Sequence, residues 1–125
     1  MSPERVVAWV QTHPLGASDI DCATAVMLKI LDGKCKMHPA EKVVMAWFYD
    51  AVKDRPGHLL GTEMHALIAA ARPGADEATR NLIYERRVLA ETAISRPVMK
   101  AFKAMIRRDG LLDGVRESAA AEETA

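Results

Sequence analysis

Arg96, Lys100, Lys103 and Arg107 follow one another at intervals of four, three and four residues. On a helix that spacing puts four cations on one side of the cylinder. Such a stripe attracts phosphate backbones, because each neutralised phosphate releases condensed counterions. It would attract an acidic protein surface by the same charge complementarity. The surrounding segment strengthens the signal. From Arg80 to Arg108 there are eight basic residues and two acidic ones, a local excess of six positive charges. The candidate binding set is Arg86, Arg87, Arg96, Lys100, Lys103, Arg107 and Arg108. The plain alternative is a solvated helix face that keeps the chain soluble.

Other chemistry is sparsely represented. Cys35 and His38 lie close together, with Cys22 upstream and His58 and His65 downstream. A tetrahedral metal site needs four converging donors, and no second close pair answers the first. Cys22 reads as a small buried residue and Cys35 as a loop thiol. No glycine-rich phosphate loop, Gly-x-Ser-x-Gly elbow or His-Glu-x-x-His pair is present. His13, His38, His58 and His65 have no nucleophile at a useful spacing. An enzyme would need a cleft joining His38, His58 or His65 to a carboxylate. The expectation is a non-enzymatic protein with no cofactor and no metal.

Composition bounds the rest. The 125 residues carry 17 Lys plus Arg and 17 Asp plus Glu, for a net charge of zero. That balance argues against a uniformly basic nucleic-acid binder and against an acidic DNA mimic. Two cysteines make no disulfide framework. Met1-Ser2-Pro3-Glu4 lacks the basic flank and apolar core of a secretory leader. No apolar run approaches the roughly 20 residues that span a bilayer. A cytoplasmic chain with no membrane partner is expected.

The elements that must position the cations are helical. Ser2-Pro3-Glu4 opens a first helix bearing Val6, Val7 and Val10, which His13-Pro14 closes. Ser18 is the expected cap of a second helix, with Asp19 and Asp21 at the positive end of its dipole. Its stripe is Ile20, Ala23, Met27, Ile30 and Leu31, and Gly33 stops it. His38-Pro39 opens a third helix, whose Val43, Val44, Trp47, Phe48, Ala51 and Val52 form the expected centre of the core. Tyr49 and Tyr84 are expected at the surface. Thr62 should cap a fourth helix with Leu67 and Ile68 buried. A fifth runs from about Ala75 to Thr92, with Ala78, Leu82, Ile83, Tyr84, Val88 and Leu89 as its apolar set. Ser95-Arg96-Pro97 opens a sixth, with Val98, Ala101, Phe102, Met105 and Ile106 inward. No segment alternates with period two. The predicted fold is all-α: a single compact bundle of five to six helices over residues 1–112, followed by a mobile acidic tail over 113–125. From Asp109 onward there are five acidic residues and one Arg, so the tail could screen the basic patch. A homodimer that hides further helix surface is compatible with this composition.

Leu89-Ala90-Glu91-Thr92-Ala93-Ile94-Ser95-Arg96-Pro97, continued to Leu112, resembles the helix-turn-helix of bacterial regulators. Ala90 takes the place of the small packing residue, Ser95 that of the cap, and Ile94 and Val98 those of the core anchors. The turn is about one residue short, and Ala93 stands where glycine is usual. The resemblance implies a recognition helix that enters a major groove. An ordinary helical hairpin fits the same residues. The expected function is a small regulatory or adaptor protein binding nucleic acid, DNA before RNA, through residues 80–108. The alternative is a protein-interaction module, an inhibitor or small subunit, that presents the same face to an acidic partner.

Overall fold

A computed structural model describes residues 2–57 and 59–115, and every regular element in it is a helix. The starts are set by local chemistry. Ser2 Oγ accepts a hydrogen bond from Arg5 N ahead of α1 (Pro3–Thr12), with proline in the first turn. α2 (Ala17–Leu31) begins at Gly16, whose N–H donates to the Asp19 carboxylate at 2.8 Å. Ser18 therefore lies inside the helix and is not its cap. The reason is that Asp19, three residues on, reaches the open backbone N–H first. Gly33 (φ 70°) follows the helix end, a conformation that favours glycine.

His38 caps α3 (Pro39–Val52): its Nδ1 accepts from Ala40 N at 3.1 Å, and Glu41 accepts from His38 N at 3.3 Å. α4 (Thr62–Ala71) starts after Gly61, so Thr62 is its first residue and not its cap. Asp76 caps α5 (Glu77–Ala93) by accepting from Thr79 N at 2.8 Å, and that bond holds the carboxyl below its usual range. Ser95 caps α6 (Arg96–Arg108), again with proline in the first turn.

The centre of the bundle is α2. Every residue from Ile20 to Leu28 is buried, so the helix is covered on all sides. Its sequence permits this, because Cys22, Ala23, Thr24 and Ala25 are small and let neighbouring helices approach closely. α3, α4, α5 and α6 all pack on it, α1 packs on α3, and α4 on α5. α3 supplies the large side chains: Val44, Met45, Phe48, Tyr49 and Val52 are buried. Phe48 lies between Trp9 and Phe102, with ring centroids 5.8 Å from each. The aromatic face predicted for α3 is thus present, but it packs beside the central helix instead of forming the centre. Val43 at 48% exposure and Val7 at 42% fall outside the core.

Three further readings are corrected. Tyr49, expected at the surface, is buried and shares a 2.7 Å hydrogen bond with His65 Nδ1. Burial pushes its hydroxyl up to about 12. α5 buries only Ile83 and Ala90, while Leu82, Val88 and Leu89 are exposed; Tyr84 is at the surface, as expected. At the C-terminal end Leu111 and Val115 are buried, so the folded chain extends past 112 and the first tail residues belong to the bundle. Trp9 Nε1 donates to the Asp109 carbonyl at 3.3 Å and ties this end to α1. The remainder of the expected acidic tail, 116–125, lies outside the described residues, as does His58.

The two thiols differ in access. Cys22 is fully buried, and desolvation raises its thiol to about 12. Cys35 is partly exposed in the α2–α3 connection. Because the thiolate is the nucleophile, iodoacetamide is expected to modify Cys35 and spare Cys22 in the native protein. Peptide mass spectrometry with and without denaturant measures this. Equal labelling of both thiols under native conditions contradicts the packing of α2.

Candidate polyanion-binding surface

α6 presents its cations because of which residues it buries. Phe102 and Ile106 lie inward, with Met99 and Met105 half-buried beside them. Arg96, Lys100, Lys103, Arg107 and Arg108 are all exposed. Among the described residues, Arg96, Lys100, Lys103 and Arg107 form no ion pair. Arg108 Nε contacts the neighbouring Asp109 at 3.3 Å and stays largely in solvent. Four unneutralised charges thus lie along a single helix, at the spacing read from the sequence.

The α5 cations behave differently. Arg87 is drawn into the fold: its Nε donates to Asp32 and its Nη1 to Glu91 at 3.1 Å, and its guanidinium lies 5.3 Å from the Tyr84 ring centroid. The Asp32 hydrogen bond holds its pKa above the ordinary arginine value. Glu91 also pairs with Lys29 at 3.3 Å. Arg87 is therefore a structural cation that joins α5 to the end of α2, and it is withdrawn from the candidate surface. Arg86 is half-buried at the edge of the same helix.

The helix-turn-helix arrangement does not form. α5 and α6 each pack on α2 and do not pack on each other. Ile94 (φ −93°, ψ 120°) and Ser95 (φ −67°, ψ 151°) are extended, and Ile94 is buried. The two helices are splayed over the central helix, so the hairpin reading fails for the same reason.

A contribution missed in the sequence comes from the α2–α3 connection. Lys34 and Lys36 line the same cavity as Lys103 and Arg107. The only local signal was the alternation Lys34-Cys35-Lys36, which does not reveal which helix it faces. The stripe therefore widens toward its C-terminal half into a surface built from two parts of the chain.

The remaining sequence candidates have other places. His38 is occupied as a helix cap. His13 stacks on Trp9 at 3.9 Å between ring centroids, with Nε2 3.8 Å from Asp109. His65 is joined to the Tyr49 hydroxyl and not to a carboxylate. Both line a cavity of about 740 Å³ between α3 and α4, where Arg72 is held by Asp50 at 2.6 Å. Among the described residues no three His, Cys, Asp or Glu side chains converge as a metal site. No described helix is long and apolar enough to cross a membrane. The chain matches no protein-family model, no curated protein and no solved structure.

Proposed function

We propose that this is a cytoplasmic, non-enzymatic regulatory or adaptor protein that binds nucleic acid, DNA before RNA, through α6 and the adjoining α2–α3 connection. The supporting observation is the set of four exposed cations on α6 with no ion partner among the described residues. An unpaired cation is available to a phosphate without first breaking a protein contact. With α5 splayed away, α6 meets the duplex as a cationic ridge. Contacts of this kind position a protein on the backbone and carry no base sequence.

The test is a salt titration of binding to a mixed-sequence duplex by fluorescence anisotropy. The four α6 cations, at one phosphate each, contribute about −3.6 to the slope of log K against log salt, which alone gives a loss of about 10²-fold between 50 and 200 mM salt. A flat salt dependence, or no binding at low salt, overturns the reading. A protein partner is the second reading, and one observation favours it: Leu82, Tyr84, Val88 and Leu89 are exposed on α5. They form two exposed apolar pairs, Leu82 with Leu89 and Tyr84 with Val88, on the two flanks of the buried Ile83 and Ala90, and exposed apolar surface commonly marks protein interfaces. A complex purified from cells that survives nuclease treatment distinguishes it.

A further inference from the structure

A cavity of about 410 Å³ opens between α2, the α2–α3 connection, α3 and α6. Its walls are of two kinds. Val26, Met45, Phe102 and Ile106 give an apolar floor, and Met37 and Leu112 close its sides. The rim carries Lys29, Lys34, Lys36, Lys103 and Arg107, and the one carboxylate of the lining, Glu41, is buried. Glu41 accepts from the His38 backbone N–H, and Lys29 is paired with Glu91. Lys34, Lys36, Lys103 and Arg107 have no ion partner among the described residues.

We infer that this cavity binds a single-chain amphiphile with an anionic head group, the hydrocarbon on the floor and the carboxylate or phosphate on the rim. The volume lies in the range of roughly 300–1,000 Å³ usual for small-molecule sites. An inorganic anion satisfies the rim and leaves the floor wet. A neutral hydrocarbon covers the floor and leaves four cations without a counter-charge. A cationic amphiphile is repelled by the rim. Only a molecule with both parts matches both walls. Met37 and Met45 suit a chain of variable shape, because thioether side chains are flexible and polarizable. The floor sets this site apart from the polyanion surface, although Lys103 and Arg107 belong to both.

The site carries its own reporter, since Cys35 lines the cavity. The full chain is titrated with decanoate, decyl phosphate, acetate and decyltrimethylammonium by calorimetry, and iodoacetamide labelling of Cys35 is followed in parallel. Decanoate and decyl phosphate are expected to saturate at one per chain and to slow Cys35 labelling. Acetate is expected to bind at least about a hundredfold more weakly, since each buried methylene strengthens binding several-fold. Decyltrimethylammonium is expected neither to saturate nor to protect. The double variant Lys34→Glu/Lys36→Glu changes two exposed loop side chains and should keep the fold, checked by circular dichroism. It is expected to weaken decanoate binding by about tenfold or more through reversed charge at the rim. Non-saturating decanoate, an unchanged Cys35 rate, or equal affinity in the double variant overturns the proposal. Arg96→Ala/Lys100→Ala lies outside the cavity lining and should retain decanoate binding, so failure of the polyanion reading is seen separately.

Discussion

Alanine at Arg96, Lys100, Lys103 and Arg107 together is expected to remove duplex binding while leaving the protein folded. Each side chain is exposed and makes no ion pair among the described residues, so its truncation breaks no salt bridge there. Alanine is also the best helix former, so α6 keeps its local preference. The buried contacts that hold α6, through Phe102 and Ile106, are untouched. Binding should fall by about 10²-fold or more at 50 mM salt, and the salt slope should become shallower by about 3.6. Anisotropy measures the first effect and thermal denaturation checks the fold. The informative control is Arg87→Ala. That change removes a guanidinium held by Asp32 and Glu91, and it should lower stability with the salt slope unchanged. A quadruple variant that still binds with the parental slope removes α6 from the proposal.

A large single-residue effect on stability is expected at Asp21. This side chain is 2% exposed. Its two carboxylate oxygens accept from Leu59 N at 2.8 Å and Leu60 N at 3.0 Å, across 38 and 39 residues of sequence. It thereby fastens the α3–α4 connection to the central helix. Asp21→Ala removes both acceptors and leaves the Leu59 and Leu60 N–H groups without their protein partner. At roughly 1–3 kcal/mol for each unsatisfied group, the loss should be about 2–6 kcal/mol. For a domain of this length that corresponds to a fall in Tm of roughly 10 °C or more. Asp21→Asn should be nearly as damaging, because one of its two acceptors becomes an NH2 that faces another donor. Gly57 supports the same contact by its lack of a side chain: a Cβ there would lie 2.5 Å from Asp21 Oδ1. Gly57→Ala should therefore displace the carboxylate and destabilise in the same direction. Thermal unfolding measures all three, and a Tm for Asp21→Ala within 2–3 °C of the parent, where about 1 kcal/mol would be expected to appear, rejects the anchoring role.

The residues that were legible in advance are those whose role is settled within a few turns of chain. Proline after a hydroxyl marks the start of α6, and apolar spacing of three and four separates Phe102 and Ile106 from the cations. Both follow from helix geometry, so the all-helical class and the exposed stripe could be read directly. Cys22 was readable as buried because it sits among small apolar residues on α2. What only the tertiary structure decided involves partners distant in sequence. Asp21 looked like a charge for the helix dipole until the α3–α4 connection was seen to bind it. Arg87 looked like part of the basic patch, but Asp32, 55 residues away, takes it out. The likeness to a helix-turn-helix depended on α5 and α6 packing together, whereas both have α2 as their support. Lys34 and Lys36 join the α6 cations for the same reason: a helix shows its own faces in its sequence, while the company each face keeps depends on where the other helices come to rest.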